Sequence, residues 1–181
     1  MTRVVLEEAD DVRIKFEATC YRVGSGLAKT VFSRAMNRVG KKTFTTVRTA
    51  LRWQTSIPAG LIRKDTSFIN SSPGKLETRT TGRRKYYGLS HFKPKQMALG
   101  VGVHVWGKGI IYPHSFIVKS ASNNVFVRTS KKRFPLEKMW GPSVHKELMQ
   151  DMALDTWQRG NDGIAKEAMR LLAEMMAGRV K

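Results

Sequence analysis

Two apolar triplets, Phe116-Ile117-Val118 and Val125-Phe126-Val127, flank a cluster of turn formers, Ser120-Ala121-Ser122-Asn123-Asn124. That is the pattern of a β-hairpin with a loop of several residues. Upstream, residues 98–106 alternate: Leu99, Val101, Val103 and Val105 share one face, and Gly100, Gly102, His104 and Trp106 share the other. Gly107-Lys108-Gly109 turns the chain and Ile110-Ile111-Tyr112 returns it. Residues 76–81 and 85–92 are predicted strands joined at Thr81-Gly82-Arg83-Arg84, a polar, basic and exposed connection. Residues 134–140 form a short extended segment ended by Gly141-Pro142. The short connections predict a mostly antiparallel sheet of five or six strands.

Helical periodicity brackets these strands. Leu27, Ala28, Val31, Phe32, Ala35, Met36 and Val39 fill one half of a helical wheel, and Lys29, Thr30, Ser33, Arg34 and Asn37 the other, with Arg38 at the boundary. Gly40 is the expected end of this helix. A second helix is predicted over 43–54, with Phe44, Val47 and Leu51 on one face, broken at Ser56-Ile57-Pro58 because the residue before proline is driven out of the helical region. A short turn over 59–64 and a loop over 65–75 follow. Proline suits the first helical position, so a helix is expected to begin at Pro142 or Ser143. Val144, Leu148 and Met152 continue it, and Gly160-Asn161-Asp162-Gly163 should interrupt it before a last stripe of Ile164, Ala168, Leu171, Leu172 and Met175. The methionines clustered between Met149 and Met176 are read as ordinary core. Helices packed on a sheet give an α+β domain over residues 21–181. Residues 1–20, where Val12-Arg13-Ile14-Lys15-Phe16 alternates, form an N-terminal arm or strand. Phe116, inside an apolar run, and Trp140, where the chain must turn, are the expected core or interface anchors.

Charge changes the picture from fold to partners. The 181 residues hold 33 Lys and Arg against 14 Asp and Glu, a formal net charge of +19. Such a balance points to a polyanion, nucleic acid above all. It is also unevenly spread. No acid occurs from Ala18 to Lys64 or from Thr78 to Leu136, while acids collect before residue 18 and after Lys146. Basic candidates to face DNA or an acidic partner are Arg34, Arg38, Lys41 and Lys42 on the first helix, and the two strand connections Arg83, Arg84, Lys85 and Lys131, Lys132, Arg133. No run approaches the length of a membrane-spanning segment, and the acidic N-terminus does not read as a signal peptide. Cys20 is the single cysteine, which excludes an internal disulfide and suits assembly in a reducing cytoplasm.

The residues offer no active site, metal site or cofactor motif. His91, His104, His114 and His145 lack metal-ligand spacing, and Gly24-Ser25-Gly26 and Gly100-Val101-Gly102 complete no phosphate-binding loop. A nuclease would need clustered carboxylates to hold a divalent metal. Only Asp65, Glu77 and Glu137 lie between Ala18 and Lys146. Basic residues neighbour aromatics at Arg52-Trp53, Lys85-Tyr86-Tyr87, Phe92-Lys93 and Arg133-Phe134. Such pairs could stack on single-stranded bases. The reading favoured here puts the aromatics in the core and the charges on the outer face.

The ordered set PHSFIVKS, VFVR, a basic run and PLEKMWGPSV over residues 113–144, with Ala35-Met36-Asn37-Arg38-Val39 upstream, resembles the minor tail protein Z family of lambda-type, long-tailed phages. The resemblance extends over roughly residues 25 to 150. It implies a virion structural protein without catalysis, completing the tail at its head-proximal end in the neck assembly through which DNA passes. It further implies a ring of six copies, contacts with neighbouring tail and neck proteins, and non-sequence-specific contact with DNA in the lumen. The acidic segment Glu7, Glu8, Asp10 and Asp11 would then lie on the basic face of the next subunit. The alternative is a nonspecific nucleic-acid-binding protein acting as a free monomer or dimer.

Overall fold

The computed structural model describes residues 25–177, so the expected N-terminal arm and Cys20 lie outside the described residues. The first element, α1 (Ser25–Thr55), is one helix of 31 residues. Most of the apolar positions that the periodicity picks out are buried, Ala28, Val31, Ala35, Met36, Phe44, Val47 and Leu51 among them, whereas Phe32 and Val39 are half-buried and Leu27 is exposed. Gly40 does not end the helix. A β-carbon there would sit 2.7 Å from Cζ of Phe68, so the glycine is explained by the close approach of that ring and not by a helix stop. The real stop is at Ser56, whose φ of 61° leaves the helical region, two residues before Pro58. α2 (Ala59–Asp65) is the expected short turn, and β1 (Thr66–Ile69) follows it.

The described residues group into two compact units. One comprises 25–45, 68–80 and 156–177. Here α1 faces α4 (Asp151–Met176), the last helix. The break expected at 160–163 is absent. A β-carbon on Gly160 would lie 2.2 Å from Cγ2 of Thr43, and one on Gly163 would lie 3.5 Å from Cγ1 of Val39. Arg38 meets Glu167 at 2.8 Å. Contact positions therefore rise along α4 as they fall along α1, and the helices run antiparallel, with Gly160 leaving room for Thr43. Residues 68–80 attach to α1 through polar contacts. Asn37 Nδ2 donates to Ser71 O at 2.9 Å, Asn37 Oδ1 accepts from Ser71 N at 2.7 Å, and the hydroxyls of Ser33 and Ser71 lie 3.0 Å apart.

The second unit, 46–67 and 81–155, carries most of the strands. The α+β class holds, but among the described residues the strands form four small sheets and not one of five or six strands. β2 (Arg79–Gly82) pairs with β1 instead of with β3 (Tyr86–Gly88), and β3 pairs antiparallel with β10 (Trp140–Ser143). β4 (Lys95–Met97), β5 (Gly100–Val105) and β6 (Lys108–Pro113) form one antiparallel sheet. β7 (Ser115–Val118), β8 (Asn124–Arg128) and β9 (Leu136–Lys138) form another, whose β7–β8 hairpin is the one the two apolar triplets predict. Gln96 joins the two sheets by mimicking a strand: its amide accepts from Ile117 N at 3.1 Å and donates to Ser115 O at 3.4 Å. Val101, Val103, Val105, Val125, Leu89, Phe92 and Val144 are buried in this unit's core. The helix expected from Pro142 starts at Val144 as the single turn α3 (Val144–Glu147), because Gly141 and Pro142 still belong to β10.

Two buried acids are consumed by this core. Asp65 accepts a hydrogen bond from the Tyr87 hydroxyl and lies 3.6 Å from the Arg83 guanidinium. Burial, reinforced by that bond, pushes the Tyr87 phenol well above its usual range, so it remains a donor. Glu147 accepts from Trp106 Nε1 and from Gln54 Nε2, both at 2.9 Å.

Candidate nucleic-acid interface

Side chains alternate along a strand, so one buried residue fixes the face of all its neighbours. Val125 of β8 is fully buried, and Phe126 therefore points the other way. Phe126 is opposite Phe116 on β7 and opposite Lys138 on β9. The row Phe116, Phe126, Lys138 thus crosses the outer face of this sheet, and Arg128, two residues from Phe126, joins it. The Arg128 guanidinium lies over the Phe116 ring, 5.1 Å from its centroid. Glu137 is on the opposite face, by the same alternation. β8 and β9 therefore place no acid on the row.

The row continues past β9. Lys138 reaches over Trp140, with its ammonium 4.5 Å from the ring centroid. On the ribbon formed by β3 and β10, Trp140 stands opposite Gly88, and Ser143 opposite Tyr86. Gly88 is where the elements approach: a β-carbon there would be 3.2 Å from both Lys138 Cε and Asn124 Oδ1. Tyr87, between Tyr86 and Gly88, is buried, so Tyr86 emerges on the outer side. The Lys146 ammonium sits 5.2 Å from the Tyr86 ring centroid. A hydrogen bond to the Tyr86 side chain raises the pKa of Lys146 above its ordinary value.

Phe116 and Trp140 are consequently not core anchors. Trp140 is 53% exposed, and Phe116 is half-buried under an arginine. The inward positions went instead to Val125 and, beside Trp140, to Gly141 and Pro142. The placing of aromatics in the core also fails for part of the interleaved set. Tyr87 and Phe92 are buried, but Trp53, Tyr86 and Phe134 are exposed. The methionines read as core are divided too, with Met149, Met152 and Met176 exposed.

The basic candidates separate into distinct settings. Arg83 is committed to the core acid Asp65, through its side chain and through its backbone N–H, which donates to Asp65 O at 2.9 Å. Arg84 and Lys85 are exposed immediately before β3. Lys131, Lys132 and Arg133 are exposed on the connection from β8 to β9. The Arg133 guanidinium lies 5.7 Å from the centroid of the Phe134 ring. Lys131 lines an open cleft of about 480 Å³ with His114, Arg128, Thr129 and Ser130. In the other unit, Arg34, Lys41 and Lys42 are exposed on α1, while Arg38 is tied to Glu167.

Phosphate contact needs only positive side chains with freedom to reach, and the outer face of β7–β10 adds aromatic surface to them. Among the described residues, no three His, Cys, Asp or Glu side chains are grouped so as to hold a metal. Asp65 and Glu77 are each engaged by arginine, and Glu137 is exposed on β9. No described helix is long and apolar enough to cross a membrane. No family model, no curated protein and no solved structure matches the chain.

Proposed function

We propose that this chain is a virion structural protein that completes a phage tail at its head-proximal end, in the neck assembly through which DNA passes. The observation that carries the reading is the ordered set of segments resembling the minor tail protein Z family. The segments from Pro113 to Val144 run through the β7–β8 hairpin, β9 and β10 to the first residue of α3, and Ala35–Val39 lies on α1. A net charge of +19 and exposed basic connections at 84–85 and 131–133 suit a protein that contacts DNA without reading its sequence. In this reading, copies close into a ring of six through heterologous contacts between unlike surfaces. The chain works by holding and joining, with no chemical step. Depletion of the protein during phage assembly tests it. The expected result is filled heads and tails of normal length that fail to join stably; normal infectious particles would refute it. The second reading, a free nucleic-acid-binding protein, is favoured by the same basic face. It would be recognised by a small soluble species coating DNA and absent from particles.

A further inference from the structure

We infer that the outer face shared by β9, β10 and β3 is a stacking platform for single-stranded nucleic acid, with Trp140 and Tyr86 taking bases and Lys138 and Lys146 taking the adjoining phosphates. The inference deepens the nucleic-acid contact of the reading above and does not depend on where in a particle the chain resides.

Aromatic rings in a folded protein are ordinarily drawn inward, because each removes a large apolar area from water. Here Trp140 is 53% exposed and Tyr86 is 45% exposed, on one side of a single ribbon. The strand geometry keeps them there: Tyr87 and Gly141, their immediate neighbours, occupy the buried side. Each ring carries its own ammonium, 4.5 Å from the Trp140 centroid and 5.2 Å from the Tyr86 centroid. The ammonium lies over one face of each ring, and a nucleotide presents the complement of the pair, a base for the ring and a phosphate for the cation. Two such units follow one another along the ribbon, on either side of buried Gly88, over which the Lys138 and Asn124 side chains pack. Arg128 over Phe116 repeats the unit further along the face. The bases of a duplex are stacked on each other and unavailable to these rings, so the platform discriminates single strands from duplex. It reads no sequence, since every base has a π face.

The test is an anisotropy titration of the full chain. One probe is a short fluorescein-labelled oligothymidylate, and the other is a duplex of equal length. Both are titrated over a range of salt against wild type, Tyr86→Ala, Trp140→Ala and Trp140→Phe. Circular dichroism melts verify that the exposed-site variants fold. Each alanine variant is expected to weaken oligothymidylate binding about 5- to 150-fold while duplex binding changes by less than about twofold, as loss of one base stack requires. Trp140→Phe should retain most of the affinity, because a ring remains. The inference is overturned if the alanine variants bind oligothymidylate as wild type does, or if they lose both probes equally. It is overturned in favour of an acidic protein partner if the alanine changes weaken binding of labelled polyglutamate but not of oligothymidylate. A chain that stacks single strands but is absent from particles would refute the tail reading alone. A particle-bound chain that treats single strand and duplex alike would refute the platform alone.

Discussion

At the scale of single residues, buried polar groups decide more than exposed charges. Tyr87 and Asp65 form the clearest pair, because the buried carboxylate draws a hydrogen bond from the phenol and only a longer-range contact from Arg83. Tyr87→Phe removes that donor without altering shape. The expected cost is about 1–3 kcal/mol, read as a drop in the urea midpoint. An unchanged midpoint would mean that water or Arg83 takes over the bond. Glu167 illustrates the opposite setting. Hydrogen bonds from Arg170, then from Arg38, lower its carboxyl pKa to about 2 from an ordinary 4.5. A depressed folded pKa contributes stability above the unfolded value and loses it as pH falls through the folded one. The wild-type midpoint should therefore decline between pH 4.5 and about 2, and Glu167→Gln should lack that part of the decline. Superimposable pH profiles would show that solvent screening cancels the contribution.

At the scale of elements, the two long helices turn on their glycines. Glycine costs about 1 kcal/mol relative to alanine in a helix interior, so replacing it normally stabilises. Gly163→Ala has room, with Val39 at 3.5 Å, and should raise the melting temperature. Gly160→Ala meets the β-carbon of Thr43 at 2.8 Å as well as its methyl, and a rotamer change cannot move the former. Overpacking costs about 1–3 kcal/mol, so this variant should be less stable despite the gain in propensity. The same sign for both variants would contradict the antiparallel helix contact. These glycines also show where the sequence was legible. Apolar spacing placed the stop at Ser56–Pro58, the β7–β8 hairpin, the buried Val101, Val103 and Val105 of β5 and most of the buried face of α1, but it set Leu99 and Leu27 on those faces and both are exposed. It read Gly40 and Gly160–Gly163 as helix breaks, because a glycine required by a close neighbour looks the same in sequence as one that ends a helix. Strand pairing was harder still. β3 finds its partner some fifty residues later in β10, and nothing local announces it. The candidate face was hidden for a related reason. In Val125-Phe126-Val127 every position is apolar, so the triplet gives no parity, and only the burial of Val125 shows that Phe126, Phe116 and Lys138 point outward.

At the scale of the whole molecule, charge and sheet faces act together. Unit 46–67 and 81–155 holds Asp65 and Glu147 in internal bonds, while Arg128 of β8, Lys138 of β9 and Lys146 of α3 lie over aromatic rings of β7, β10 and β3. Binding to duplex DNA should be independent of sequence and should weaken with salt, each neutralised phosphate adding about −0.9 to the slope of log K against log salt. Filter binding over a salt series checks this, and a flat dependence or a marked sequence preference would contradict it. The central claim concerns place and not affinity. Its most direct test is a reconstruction of the intact phage particle with this chain located in the density. The account predicts a closed ring of six copies on the tail axis at the head-proximal end, with the basic β-strand connections toward the DNA. Copies away from the axis, scattered singly, or missing from the particle would contradict it.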